Sequence, residues 1–277
     1  AIWFDDAVET MGADVMRWIY CTNKAENNLL FGYGRADRVR KEFIIPLWNI
    51  YSFFVTYANI DAWTPQNQST SVSLLDQWIL SKLNVLIQTI TTNLEQYNAY
   101  VATAQIQQFI QELSTWYIRR SRRRFWKSES DEDKKGAYTT LHTTLVTLIK
   151  LLAPFTPFIT EEIYQNLVRQ IDPHAPESIH HHPWPTVDTQ LINHELMQDM
   201  DLTIQISHLG RAARNHARIK LRQPLAEAKI IAAPTALQRL HRSHELIQDE
   251  LNVKKLTFTS NHRELLTYRI QLLPQIL

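Results

Sequence analysis

Between Trp116 and Trp126 the chain reads Trp-Tyr-Ile-Arg-Arg-Ser-Arg-Arg-Arg-Phe-Trp, which sets five arginines and four aromatic rings into eleven positions. Guanidinium groups hold phosphate oxygens bidentately and flat rings stack on unpaired bases, so this composition is suited to binding RNA. On a helix continuing from Ile106, the residues Phe109, Ile110, Leu113, Trp116 and Tyr117 form one apolar stripe at three-and-four spacing. Arg120 and Arg124 prolong that stripe, and charge on a core-facing line calls for carboxylate partners inside the fold. Arg119, Arg122, Arg123 and Trp126 fall on the other side, with no acid among them, and are candidate RNA contacts.

Two further basic sets carry weaker signals. Arg35, Arg38 and Lys41 mark the start of a helical pattern and read either as a second RNA contact or as a solvated helix start. Arg211, Arg214 and Arg218 recur at helical spacing, so they can share a face that grips RNA or packs internally. Lys220 and Arg222 follow them. Glu161 and Glu162 lie early in a helix, where the dipole favours acids; the alternative is a pairing of one of them with Arg120 or Arg124. His180, His181 and His182 are consecutive, so regular structure does not aim all three at one ion, and no metal site is expected. Asp5 and Asp6 read as a helix start rather than as a catalytic dyad.

The elements that must position these groups are mainly helical. Five glycines in 277 residues argue against β-hairpins and against a glycine-rich phosphate loop. An apolar fraction of 44% over this length allows two cores. Net charge is +1, so any electrostatic footprint comes from local segregation, with residues 119–127 basic and 128–133 acidic. Cys21, the single cysteine, excludes an internal disulfide and a cysteine-based zinc site and fits a reducing cytoplasm. The sequence contains no recognisable secretory signal and no apolar run near the ~18 to 20 residues of a membrane span, so no membrane partner is expected.

Taken in order, two short helices separated at Gly12 and a polar stretch fill residues 1–34. A helix from about Arg35 to Ala58, with a kink expected at Pro46, opens an antiparallel bundle spanning 35–170. Ser73 and Asp76 have capping-box spacing, Asn98 marks a turn, and the acidic stretch from Ser128, closed by Gly136, reads as an exposed connection. Thr156 and Pro157 read as N-cap and first-turn proline of the next helix. Residues 171–190 form a proline-rich linker. Residues 191–277 form a small α+β module, with a helix to about Ala217, strands at Ala226–Ala232 and Lys255–Thr259, a helix at Leu237–Leu251, and a last strand near Thr267–Leu272.

Several of these stretches together resemble the isoleucyl-tRNA synthetase family in the part carboxyl-terminal to its catalytic domain. They are Gly12-Ala13-Asp14-Val15-Met16-Arg17-Trp18, Pro46 to Phe54, Leu75-Asp76-Gln77-Trp78-Ile79-Leu80-Ser81, the arginine stretch, Ala153 to Phe158 with Glu161-Glu162, Gly210 to Arg214, and Arg222 to Leu225. The resemblance implies a class I anticodon-binding helical bundle followed by a carboxyl-terminal α+β module. Its partners would be the anticodon stem-loop of isoleucine tRNA and the enzyme's own catalytic domain, with residues 1–34 as the junction to that domain.

The parent reaction implied is the ATP-dependent attachment of isoleucine to tRNA, with ATP and Mg in the catalytic domain. Neither a His-Ile-Gly-His type nor a Lys-Met-Ser-Lys-Ser type motif occurs here, and His208-Leu209-Gly210-Arg211 lacks the second histidine. The expectation is therefore no catalytic residue and no cofactor in this stretch. The valyl and leucyl enzymes share the architecture, and the arginine stretch favours isoleucine. A helical scaffold docking acidic protein surfaces is the reading outside RNA.

Overall fold

The computed structural model describes residues 2–67, 69, 71–126 and 131–261, and they fall into two compact units, Ala1–Asn193 and His194–Leu277.

In the first unit, α1 (Phe4–Met11) and α2 (Ala13–Cys21) break at Gly12, whose φ of 86° suits a residue without Cβ. Next, α3 (Tyr33–Val39) runs through a π-helical turn, Arg40–Ile44, into α4 (Ile45–Ile60). Pro46 stands in the first turn of α4, so the widened turn directly before it accommodates the missing N–H. Contrary to the expectation for apolar runs, Tyr33–Ile60 holds an 18-residue window of mean hydropathy 1.3, enough in length and composition for a span. Its Phe43, Leu47, Ile50 and Phe54 are buried in the bundle core, and aliphatic residues on the outer side, Ile45 and Ile60, raise the average.

The bundle continues with α5 (Leu74–Glu95), α6 (Ala99–Glu112), a π-helical turn (Leu113–Ile118), α7 (Arg119–Trp126), α8 (Asp131–Leu152), and α9 (Pro157–Tyr164) with its own π-helical end (Gln165–Arg169). Trp78, Ile79 and Ile90 of α5 and Leu141, Leu145 and Leu148 of α8 are fully buried, each worth about 1.5–3 kcal/mol relative to exposure.

Two expectations change. The acidic stretch is not all connection, because α8 starts at Asp131, where Asp131, Glu132 and Asp133 complement the helix dipole. Gly136 lies inside α8, where a Cβ would collide with the Ser71 carbonyl. Thr156 and Pro157 take the expected N-cap and first-turn positions of α9, but the Thr156 side chain makes no capping hydrogen bond. Asp14 caps the helix from α2, accepting from the Phe158 and Ile159 N–H groups at 3.3 and 2.7 Å. Arg17, one turn on, donates to the Pro154 and Phe155 carbonyls at 2.7 and 3.1 Å. The short amino-terminal helices thereby clamp the turn between α8 and α9.

The proline-rich stretch belongs to the first unit as a strap along α5. Trp184 donates to the Thr91 hydroxyl at 2.9 Å, the Asp188 N–H to Asn84 at 2.8 Å, and the Asn193 N–H to Ser81 at 2.7 Å.

The second unit contains α10 (His194–His216), β1 (Leu225–Ile231), α11 (Pro234–Leu240), a 3-10 turn (His241–Ser243), α12 (His244–Leu251) and β2 (Val253–Thr259). The strands pair in parallel, with Leu225 opposite Val253 and Ile231 opposite Thr259, as a helical crossover requires. Ile230, Leu240, Ile247, Leu251 and Leu256 form its core. The helix expected over Leu237–Leu251 is two helices, and the strand expected near Thr267–Leu272 lies outside the described residues.

Candidate nucleic-acid interface

The arginine stretch enters its helix through the π-helical turn, which shifts the buried line by one position. Ser121 and Phe125, at 0% and 1% exposure, continue from Tyr117, while Arg120 and Arg124 flank that line half-buried rather than lying on it.

Arg124 is held by two acids. Its Nη1 and Nη2 donate to Asp76 Oδ1 and Oδ2, both at 2.8 Å, and its Nε reaches the Asp133 carboxylate at 2.9 and 3.0 Å. Asp76, fully buried, also accepts from the Tyr117 hydroxyl at 2.6 Å and from the Ser73 N–H at 2.8 Å. The Asp76 N–H donates back to Ser73 Oγ, completing the capping box of α5. Burial pushes the Asp76 carboxyl up, but the Arg124 bonds and charge, with Tyr117 and Ser73, outweigh it and hold the group below its ordinary value.

The carboxylates of Arg124 are therefore not Glu161 or Glu162, the pairing that the sequence left open. Glu161 accepts from Gln165, from the Ser178 hydroxyl and from the Ile179 N–H, fastening the strap, and Glu162 is exposed.

With α7 fixed in rotation, Arg119, Arg122, Arg123 and Trp126 stand on one exposed face at positions i, i+3, i+4 and i+7. Trp126 is 54% exposed. Two side chains from α4 join it that sequence reasoning missed. The Arg122 guanidinium lies over the Phe53 ring at 5.9 Å, Phe53 meets Tyr57 at 4.9 Å, and Tyr57 meets Trp126 at 6.2 Å. Phe125 supports Phe53 from below, edge-on at 5.1 Å. The signal available in sequence was the i, i+4 spacing of Phe53 and Tyr57, one position off the buried line of Ile50 and Phe54.

The other candidate residues lie elsewhere. Arg38 and Lys41 are exposed and Arg35 half-buried, on α3 and the π-helical turn after it. In the second unit Arg211 pairs with Glu250, which is 1% exposed. Arg214, at 6% exposure, donates through Nη2 to the carbonyls of Lys220 and Leu221 at 3.2 Å and to that of Gln223, tying down the loop after α10. For these two the geometry favours the packing alternative, because Arg211 is bound to a buried carboxylate and Arg214 is itself buried. Arg218 lies beyond the end of α10, exposed and at φ 56°, so the three do not share a face. Among the described residues no group of three His, Cys, Asp or Glu side chains is arranged to hold a metal.

A family model for the anticodon-binding domain of tRNA ligase matches residues 76–231. The chain is 47% identical over 253 residues to the isoleucine–tRNA ligase of Dehalococcoides mccartyi (strain ATCC BAA-2266), covering 90% of this chain and 25% of that protein. It is 41% identical to the isoleucine–tRNA ligase of Clostridium novyi and 40% identical to that of Thermus thermophilus, each over 96% of this chain and 26% of the relative. The chain thus spans about a quarter of the length of these curated relatives. Among solved structures, the LeuRS of a ternary complex with tRNA and LeuAMS from Agrobacterium radiobacter K84 shares the fold, with a TM-score of 0.52 and 18% identity over 70% of this chain and 22% of that one. The matched residues contain the buried Asp76, the arginine-bearing α7 and the strap, and the chain belongs to the family of anticodon-binding domains of tRNA ligases.

Proposed function

We propose that this chain is the tRNA-reading part of an isoleucine–tRNA ligase and that α7 holds the anticodon stem-loop of isoleucine tRNA through Arg119, Arg122, Arg123 and Trp126. The observation that carries this reading is the acid-free exposed face of α7, fixed from behind by the Asp76–Arg124–Asp133 network. Anticodon bases lie in a single-stranded loop, where they can unstack onto rings while arginines hold the phosphates. A helix already fixed by buried contacts presents those groups with little ordering cost. Arg35, Arg38, Lys41 and Arg218 are peripheral contributors in this reading.

The name shared by the relatives supports isoleucine as the amino acid. Activation with ATP and Mg and transfer to tRNA fall to the catalytic domain of the longer protein, and this stretch contributes binding alone, in the cytoplasm.

The test is a titration of the chain with the anticodon stem-loop of isoleucine tRNA, with loops changed at one anticodon base, at several salt concentrations. Four to six phosphate contacts give a log-log salt slope of about −3 to −4. Binding that depends on the anticodon and weakens on Arg122→Ala supports the proposal. Binding with the same slope to every loop reduces α7 to an electrostatic grip, and no binding at low salt overturns the reading.

A further inference from the structure

We infer that Phe53, Tyr57, Arg122 and Trp126 form a stacking rail that carries an unpaired base of the bound RNA by its face, without distinguishing which base it is. This deepens the proposed function and rests on the tRNA reading of α7.

The rail is built from two helices. Phe53 and Tyr57 come from one turn of α4, Arg122 and Trp126 from one turn of α7, and the groups are joined by the contacts at 5.9, 4.9 and 6.2 Å. What it presents outward is mainly π surface and one guanidinium laid on a ring. Every base has a π face, so such a surface accepts any of them, whereas telling bases apart needs donors and acceptors aimed at base edges.

The rail is also rigid. Phe125, 1% exposed, props Phe53, and Arg124, one residue before it, is locked between Asp76 and Asp133. Trp126 at the open end keeps 54% of its surface exposed, so an incoming base finds a face already in position. Arg119 and Arg123, on the same face of α7, flank the rail where the phosphates on either side of a stacked base would run. Discrimination among anticodons must then come from groups other than these four. The rail supplies base-independent affinity beside that discrimination.

The experiment compares wild type, Trp126→Ala, Trp126→Phe and Tyr57→Ala against three sets of stem-loops: unmodified, carrying one abasic nucleotide at each loop position in turn, and carrying each base substitution at those positions. The expected result is one loop position where removing the base weakens wild-type binding by about 5- to 100-fold. At that position the base substitutions change binding by less than about threefold. Trp126→Ala loses affinity for the unmodified loop to a similar extent and shows no further loss with the abasic loop, while Trp126→Phe keeps most of it. Urea midpoints of the variants exclude unfolding as the cause. The rail is overturned if Trp126→Ala and Tyr57→Ala bind the unmodified loop as tightly as wild type, if their losses multiply with the abasic loss at every position, or if the sensitive position discriminates strongly among bases. Failure of wild type to bind any stem-loop overturns the tRNA reading itself, so the two failures are distinct.

Discussion

Replacing Arg124 with Met removes both hydrogen bonds at 2.8 Å from Asp76 and leaves that carboxylate buried with only the Tyr117 hydroxyl and the Ser73 N–H. Asp133, at 38% side-chain exposure, can turn to water and adds little. The loss therefore concentrates at Asp76, and stripping one partner from a buried pair costs about 3–5 kcal/mol. Changing both residues, Asp76→Leu with Arg124→Met, removes the stranded charge and leaves mainly the lost capping box, about 1 kcal/mol, with the Tyr117 hydroxyl. The double variant is therefore expected within about 2 kcal/mol of wild type and well above the sum of its single changes. The assay is urea unfolding followed by tryptophan fluorescence. All eight tryptophans lie between residues 3 and 184, so the signal reports the first unit alone.

The dependence on pH has a definite sign. In wild type the depressed Asp76 value means its contribution is in place above the unfolded value of about 3.9 and is lost as pH falls through the folded one. In Arg124→Met burial acts with less opposition, the folded value rises, and the carboxylate takes up a proton as pH falls. The deficit of the variant is accordingly largest near neutrality and shrinks in acid. A deficit below about 1 kcal/mol at pH 7, or one that grows in acid, refutes the assignment.

Three further outcomes rest on single contacts. Gly136→Ala, which would gain about 1 kcal/mol in an open helix, meets the Ser71 carbonyl and is expected to lower stability by about 1–3 kcal/mol in the same unfolding assay. Asp14→Ala uncaps α9 from a distance and is expected to cost about 1 kcal/mol, with faster amide exchange at Phe158 and Ile159 as the specific readout. Burial lowers the His142 value despite its contact with the Leu167 carbonyl, so the unfolded chain binds the proton more tightly. Stability is expected to fall as pH drops below about 6.5, and His142→Gln should flatten that part of the pH profile of unfolding.

The helical elements were legible because their signals are local. The capping box at Ser73, the break at Gly12 and the turn at Asn98 each depend on a few neighbouring residues, and the structure contains all three. Long-range satisfaction was not legible. Nothing near Pro157 indicates that its helix is capped by Asp14, over 140 residues earlier. Gly136 reads as the close of an exposed connection until the Ser71 carbonyl is placed against it. Among the basic sets, exposure followed from periodicity on α7, whereas Arg211 and Arg214 needed the positions of Glu250 and of the loop carbonyls. Asp76 was the available clue to the site's interior. It is an acid on the buried line of Ile79 and Leu83, complementary to arginines expected beside a core line, and charges so placed require each other.

The π-helical turn at Leu113–Ile118 explains why one part of the arginine reading held while another shifted. A wider turn changes the phase between the helix on its amino side and the helix on its carboxyl side, so the core line moved from Arg120 and Arg124 onto Ser121 and Phe125. Residues 119, 122, 123 and 126 all lie beyond the turn, and their phase relative to one another is that of an ordinary helix. Which of them share a face is therefore independent of the turn, but which way that face points is not. Apolar burial constrains rotation of α7 only weakly, since attraction between hydrocarbon surfaces is not directional. The guanidinium of Arg124, forked onto one carboxylate of α5 and a second of α8, is directional. Rotation by one residue, about 100°, would break it and swing either Arg122 into the buried place of Ser121 or Arg123 into the half-buried place of Arg124, depending on its direction. A buried ion pair that adds little net stability over an apolar substitute can thus still set the orientation of the surface that α7 offers to RNA.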